Sequence, residues 1–430
     1  MIADDRIRNL GLWAVTAPPP PALAALDGHL TCDVLVIGGG YTGVSAALHL
    51  AQAGVKVVLL EANYLGYGGS GRNVGLVNAG LWVLPDDVVR ELGPDYGERL
   101  NHVLGSSPDL VFALIDKHGI SCEAVRNGTL HCAHSPSGYR YLQERQRQWG
   151  RRGAPVRLLD AETAAEKIGS RAYYGALWDL RAGTVQPLAY LHGLAHAAVR
   201  SGALLYVHSP ALAVEKHHGG WRVKTPGGSV SASGIILATN AYTDGILPEL
   251  KRTFIRFHYF QFATRPLPEA VRKTVLPDRH GTWDTNTVLS SMRLDGSGRL
   301  IAGSVGTVED FGYPLHKSWA RRMIRKIFPQ LGNVDLEYSW YGVIAMTRNH
   351  MPRFYELGPG FITVMSYNGR GIGPGTMFGK LLAQYFLHGG KDVIPLPVSR
   401  PQSLLTRKAW EIFYEAGARL YHAVQKVVLP

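Results

Sequence analysis

Apolar positions fall into two textures along this chain. Near the start, Asp33-Val34-Leu35-Val36-Ile37 and Lys56-Val57-Val58-Leu59-Leu60 are short runs apolar at consecutive positions, as in strands covered on both faces. Between them, residues 42–53 are rich in small side chains and end at Gly54, where a helix C-terminus needs a residue with positive φ. Together these segments predict one βαβ unit of about 30 residues. The proline run at 18–21 makes a stiff, extended lead-in. Residues 86–154 read as helical and polar, with 110–115 in one helix and the densely charged 141–152 in another. From Ala203 the texture changes to short strands at 203–207 and 212–215, then a hairpin of 221–224 and 229–231 turning at Pro226-Gly227-Gly228. Residues 235–237 form another fully apolar strand, ending in Ala238-Thr239-Asn240. Alternation marks strands at 257–264, 288–293 and 300–303, followed by a basic helix at 317–328. A last strand at 361–365 runs through a glycine-rich turn into a helix at 376–387.

This order predicts an α/β plus α+β fold. A Rossmann-like dinucleotide-binding domain, discontinuous over 30–85, 155–250 and 338–400, is interrupted by a second domain over 86–154 and 251–337. That second domain combines helices with a mixed, largely antiparallel sheet, and residues 401–430 form a C-terminal amphipathic helix. The length of 430 residues fits more than one core. Apolar residues make up 46% and charged residues 18%, a globular composition, and no apolar run approaches the roughly 20 residues that span a bilayer. Met1-Ile2-Ala3-Asp4-Asp5-Arg6 lacks the order of a signal peptide. Cys32, Cys122 and Cys132 are too few and too scattered for a disulfide framework or a zinc site, so a cytoplasmic protein without a bound metal is expected. The net charge is +12, but the basic residues stand singly or in pairs such as Arg151-Arg152 and Arg321-Arg322. With no motif that reads nucleic acid, the charge suits a dinucleotide and a carboxylate substrate better.

Gly38-Gly39-Gly40-Tyr41-Thr42-Gly43 fits G-x-G-x-x-G, with Tyr41 and Thr42 opening the helix. The glycines provide a tight turn, a close backbone approach to a pyrophosphate, and close helix-on-strand packing. Glu61, at the end of the next strand, can accept hydrogen bonds from ribose hydroxyls. Two further glycine-rich segments, Gly68-Gly69-Ser70-Gly71-Arg72-Asn73-Val74-Gly75 and Tyr367-Asn368-Gly369-Arg370-Gly371-Ile372-Gly373-Pro374-Gly375, favour a long, buried flavin over a nicotinamide. A helix N-terminus following the last segment suits the negative charge of a reduced flavin.

These segments resemble the D-amino-acid oxidase superfamily of flavoproteins, especially its sarcosine oxidase and γ-glutamylputrescine oxidase branch, from about Cys32 to about Ala383. Ala238-Thr239-Asn240-Ala241-Tyr242 and Tyr341-Gly342 also carry the resemblance. Within the branch, Gly68 through Gly80, Gly128-Thr129-Leu130-His131, Arg181-Ala182-Gly183-Thr184 and Trp283-Asp284-Thr285 resemble most the bacterial L-pipecolate oxidases. The resemblance implies that Gly38, Gly40, Gly43 and Glu61 hold the ADP half of FAD. Ser70, Arg72 and Asn73 would meet the pyrophosphate, Gly75-Leu76 would pass beside the flavin, and the backbone near Val214 would touch the adenine. Ala238-Thr239 would close over the cofactor, and Gly342, Gly369, Arg370, Gly371 and Ile372 would meet the pyrimidine end. Sarcosine oxidases attach FAD through a cysteine near the segment matching 342–347; this sequence has none there, so noncovalent FAD is expected. Their carboxylate-binding lysine is replaced by Gly373.

The implied reaction is hydride transfer to flavin N5 from the carbon next to an unprotonated amine. For L-pipecolate this gives the cyclic imine Δ1-piperideine-6-carboxylate, a step of lysine breakdown. Electrons then pass to oxygen or a respiratory carrier. Pocket candidates are His258, Tyr259, Trp283, Ser290 and Arg293, with Arg370 from the cofactor side. His258 is the candidate acceptor of the ammonium proton, although strand alternation lets only one of His258 and Tyr259 face the cavity. Other readings are another amine, such as γ-glutamylputrescine or sarcosine, and a nicotinamide-dependent dehydrogenase or non-catalytic dinucleotide module. In the tail, Leu405, Trp410, Phe413, Leu420, Tyr421 and Val424 recur at helical spacing beside Arg407, Lys408, Arg419 and Lys426. The tail reads as a helix docked on the body or, alternatively, as a basic amphipathic helix on a membrane surface.

Overall fold

The computed structural model describes residues 9–309 and 312–425; Met1–Arg6 and Lys426 thus lie outside the described residues. The βαβ unit is present, as Gly28–Ile37, the helix Tyr41–Gln52 and Val57–Leu60. Its strands are parallel, with Val34 opposite Val57, and Gly28–Ile37 also pairs in parallel with Gly228–Leu237. Their apolar stretches are buried because the helices Tyr41–Gln52 and Ile372–His388 pack on one face of this sheet and Trp221, Val223, Leu250 and Phe254 pack on the other. The sheet runs in the order Arg353–Gly358, Phe361–Met365, Gly228–Leu237, Gly28–Ile37, Val57–Leu60, Leu204–Tyr206, and Gly220–Thr225 and Ala213–His217 extend it as antiparallel strands. The hairpin closes with Thr225 opposite Gly228, at the turn that the proline and glycines mark.

A second eight-stranded sheet runs Leu336–Met346, Ile255–Pro266, Arg299–Val305, Ser290–Leu294, Gly281–Asp284, Thr129–Cys132, Ala176–Asp179, Val156–Leu159. All its pairings are antiparallel except that of Gly281–Asp284 with Thr129–Cys132. The expected boundaries shift here: 156–159, 176–179 and 336–346 belong to this sheet, not to the dinucleotide-binding sheet. Thr129–Cys132 also lies inside the stretch expected to be helical. It is buried at every position and so shows no alternation.

One face of the second sheet looks into the large cavity described below, and helices cover the other. Gly312–Ile327 and the tail helix Arg407–Val424 pack there, with His316 stacked on Phe260 at 4.6 Å and His422 facing Trp319 at 4.1 Å. Both histidines are buried, and burial depresses them to about 4 and about 3 respectively, so they are neutral at pH 7. Among the described residues no helix is long and apolar enough to cross a membrane, and no cluster could hold a metal ion.

Candidate functional site

A cavity of about 710 Å³ runs between the two sheets and brings together all three glycine-rich segments. At one end, the first strand stops at Gly38, whose φ is +114° and whose N–H donates to the Leu60 carbonyl at 2.8 Å. A Cβ there would lie 2.8 Å from the Ala238 carbonyl oxygen. Gly43 packs the helix onto its own turn, and a Cβ would meet the Gly38 carbonyl at 1.9 Å. The helix Tyr41–Gln52 has no side-chain cap of its own; the Tyr41 N–H donates to Ser70 Oγ at 3.1 Å. Gly38, Gly40, Tyr41 and Thr42 line the cavity, and Gly43 stands behind them.

Glu61 also lines this end, its carboxylate accepting from the N–H groups of Gly39 at 2.7 Å and Asn63 at 2.8 Å. Burial raises its pKa, and the backbone donors partly offset that. Ser70, Arg72 and Asn73 line the middle. Arg72 sits over the Tyr67 ring at 4.8 Å and donates to the Tyr67 carbonyl at 2.7 Å. Asn73 stitches the loop together, donating to the Gly69 and Ser70 carbonyls at 3.0 Å and accepting from the Gly75 N–H at 2.9 Å. Leu76, Ala238, Thr239, Gly342, Gly369, Arg370, Gly371 and Ile372 complete the wall. The helix Ile372–His388 begins at this wall with no side-chain cap, so its first N–H groups are turned to the cavity end. Turns beside it hold Asn240, Ser366 and Asn368 at positive φ, strain that the surrounding hydrogen bonds sustain.

Register explains the opposite floor. Gln261, Gly303, Ser291, Trp283 and His131 lie directly across from one another on adjacent strands, and Tyr259 lies opposite Gly342 and Val305. Directly opposed residues share a face. Accordingly Tyr259, Gln261, Ser291, Trp283 and Val305 all line the cavity. Tyr259 Oη bonds Ser291 Oγ at 2.9 Å and donates to the Gly303 carbonyl at 3.1 Å, and burial drives its phenol well above the ordinary value. Trp283 stacks on His131 at 3.3 Å and carries the Arg370 guanidinium 4.8 Å from its ring. Arg370 donates to the Ala79 carbonyl at 2.6 Å. Burial, with Arg145 nearby, pushes its pKa down to about 9, which leaves it cationic at pH 7.

Several expected residues stand elsewhere. His258 is on the covered face, where its Nδ1 lies 3.7 Å from Glu415 Oε2 of the tail helix, so it is not positioned to take a substrate proton. Ser290 is one position out of phase and donates to the buried Asp284 carboxylate; its neighbour Ser291 faces the cavity. Arg293 shares the parity of Ser291 but lies farther along the strand, fully buried, bonded to the Val185 and Leu294 carbonyls. Gly75 packs away from the cavity, at φ +88°, with a Cβ position 2.2 Å from the Val185 carbonyl. Val214 is likewise outside the lining, and Pro210, Ala211 and Leu212 stand at that end instead. A Cβ on Gly373 would lie 2.5 Å from Ser107 Oγ, so the helix start is too closely packed for a lysine there. Gln261 and Ser291 went unnamed in the sequence although the two-residue period from Tyr259 reaches Gln261. The same period reaches Phe257, and Tyr242 stands in the segment 238–242; Trp82, which also lines the cavity, carried no such signal.

The chain belongs to the FAD-dependent oxidoreductase family, whose model matches residues 33–385. It is 31% identical over 363 residues to the probable oxidoreductase OrdL of Haemophilus influenzae, covering 83% of each chain. It is 32% identical over 378 residues to the γ-glutamylputrescine oxidoreductase of Escherichia coli, covering 86% of this chain and 87% of that one. The fold matches glycine oxidase from Geobacillus kaustophilus with a TM-score of 0.69 at 19% identity, over 86% of this chain and 99% of the other. It also matches L-proline dehydrogenase from P. horikoshii with a TM-score of 0.70 at 19% identity, over 86% and 96%. The protein is thus an FAD-dependent oxidoreductase acting on an amine or amino acid, and the nicotinamide and non-catalytic readings are set aside.

Proposed function

We propose that this enzyme oxidises a C–N bond of a small secondary-amine amino acid, L-pipecolate, to the cyclic imine Δ1-piperideine-6-carboxylate. One observation carries the reading. The cavity floor of Tyr259, Gln261, Trp283 and Ser291 is uncharged and has the Arg370 guanidinium against Trp283, while the lining carboxylates are Glu61, held by the Gly39 and Asn63 N–H groups, and Asp244, paired with Lys251. An anionic substrate head fits such an end, whereas a second ammonium group would find nothing to neutralise it there. Arg370 takes over the role of the lysine that Gly373 excludes: its guanidinium, steadied by Trp283 and the Ala79 carbonyl, offers its remaining donors to the substrate carboxylate.

The ADP half of FAD fits the helix start at Gly40–Thr42, where Ser70 Oγ meets the Tyr41 N–H, with Ser70 and Arg72 beside the pyrophosphate and Glu61 at the ribose. The N-terminus of Ile372–His388 fits the pyrimidine end. Cys32, Cys122 and Cys132 are buried outside the cavity lining, in keeping with noncovalent FAD and a reducing cytoplasm. FAD, when bound, supplies the two-electron acceptor for hydride from the carbon next to nitrogen. The protein then positions the substrate and excludes water: Trp283 and Tyr259 wall the pocket, and the Tyr259 hydroxyl is committed to Ser291 and Gly303. No lining side chain at that end is a base of neutral-pH strength, so the substrate amine enters unprotonated. Oxygen or a respiratory carrier takes the electrons in this reading.

The identity to the Escherichia coli enzyme favours γ-glutamylputrescine as the second reading. Steady-state kcat/KM for L-pipecolate, L-proline, sarcosine and γ-glutamylputrescine, with purified enzyme and an artificial acceptor, separates them. The proposal requires L-pipecolate to lead by at least about tenfold, the effect of roughly 1.4 kcal/mol in differential binding. A lead for γ-glutamylputrescine would replace it.

A further inference from the structure

The tail helix Arg407–Val424 is attached to the body the wrong way round for an ordinary surface helix. Glu411, Glu415 and His422 face inward, beside the half-buried Trp410, Tyr414 and Tyr421 and the buried Ala418. Glu411 accepts from the Arg256 N–H at 3.0 Å, Glu415 contacts His258 and accepts from the Thr307 N–H at 3.4 Å, and His422 is fully buried beside His316 at 2.9 Å. Its outer face carries Ile412, Phe413, Leu420 and Val424, each between 62% and 69% exposed, with Leu405 just ahead of the helix at 98%. Ala409, Ala416 and Ala423 fill the same outer face. Helices on a protein surface normally place these two sets the other way. A contiguous apolar strip of this kind marks a contact site.

Charge chooses the partner. The helix's two acids are turned inward, Glu411 paired with Arg407 at 2.9 Å and Glu415 with Arg419 at 3.0 Å, leaving Lys408 on the outer face. The adjoining helix Gly312–Ile327 is bound to the tail through Arg322, which donates to the His422 carbonyl at 2.7 Å, and it exposes Arg325 and Arg321, the latter 3.8 Å from Asp335. An apolar strip rimmed by cations, on a chain of net charge +12, is complementary to anionic headgroups above an acyl layer. Two copies joined through the same strip would instead bring like charges together.

We propose that the outer face of residues 405–424 seats this enzyme on an anionic membrane surface, the helix lying in the interface plane. The inward hydrogen bonds mean that the helix does not have to leave the body to do so. The test is co-sedimentation of the purified FAD-loaded enzyme with vesicles of phosphatidylglycerol and phosphatidylethanolamine, against vesicles of phosphatidylcholine alone, for the unaltered protein and for the double variant F413D/L420D. Both positions are exposed, so flavin content, activity and melting temperature should not change, and the variant's sedimentation velocity serves as a second readout. The expected result is pelleting with the anionic vesicles only, weakened by salt, and at least about tenfold less of it for the variant. The proposal is overturned if the unaltered enzyme stays in the supernatant, or if the variant pellets equally well. It is also overturned if sedimentation velocity shows a dimer that the variant dissociates, since the strip would then be a seam between copies.

Discussion

Replacing Arg370 with Gln tests the residue on which the substrate reading rests. The guanidinium lies 4.8 Å from the Trp283 ring and has one nitrogen bonded to the Ala79 carbonyl, so it reaches the cavity in a fixed orientation. A charge-assisted, hydrogen-bonded carboxylate is worth about 1.5–3 kcal/mol, which converts to roughly 10- to 150-fold in kcat/KM. The lost donor to Ala79 adds about 1 kcal/mol of destabilisation, a small fall in melting temperature without loss of fold. The assay compares L-pipecolate with its carboxamide in the parent and in Arg370→Gln. The parent should prefer the acid strongly, and the variant should lose that preference while its rate with the carboxamide changes little. Arg370→Lys keeps the charge but not the planar fork and should recover only part of the loss. In the parent, KM for the acid, expressed for the unprotonated-amine form, should stay flat between pH 7 and 8 and rise above about pH 9, where the depressed guanidinium loses its proton. Equal losses with acid and carboxamide would refute the reasoning and make Arg370 a wall residue.

Other substitutions probe the surroundings. His258→Asn should leave the pH dependence of kcat/KM unchanged, because the side chain faces the tail helix; a shifted profile would restore it as a proton acceptor. At Glu415, burial pushes the carboxyl up, but His258 and Arg419 outweigh that and hold it at about 2. A depressed carboxylate stabilises the fold above the unfolded value near 4.5 and loses that contribution as pH falls towards 2. Glu415→Gln should therefore cost about 1–2 kcal/mol at pH 7 after allowance for solvent screening, with the melting-temperature gap to the parent closing between about pH 5 and pH 2. Gly373→Ala, whose Cβ would lie 2.5 Å from Ser107 Oγ, should cost about 1–3 kcal/mol, partly regained in the double variant G373A/S107A, as read by thermal melting.

How far the sequence could be read depended on the kind of burial. The βαβ unit was legible because the stretches 34–37 and 57–60 of its strands are apolar at every position and its glycines have nowhere else to go, Gly43 lying against the Gly38 carbonyl. The same uniform burial hid parts of the second sheet, such as Thr129–Cys132, although its strands near 257–264, 288–293 and 300–303 were legible. Ser290–Leu294 is buried at all five positions, so alternation could not tell Ser290 from Ser291, and the wrong one was expected to face the cavity. Arg293 looked like a ligand because it is charged in a strand, yet it is turned to the Val185 and Leu294 carbonyls, with the Glu123 carboxylate 3.8 Å away, and Val185 and Glu123 are distant in sequence. His258 and Tyr259 were correctly seen to be exclusive; which one faces inward depended on the tail helix, more than 140 residues away, whose Glu415 meets His258. Gly373 was recognised as the missing lysine, while Ser107, which keeps it a glycine, is distant in sequence.

The most direct measurement is the visible spectrum of the purified enzyme titrated with L-pipecolate without oxygen. The account predicts a yellow protein whose flavin absorption bleaches fully at about one equivalent and returns on admission of an electron acceptor, with FAD released into solution on denaturation. A yellow protein that L-pipecolate leaves unbleached, while another amine bleaches it, would contradict the substrate assigned to the Arg370 pocket.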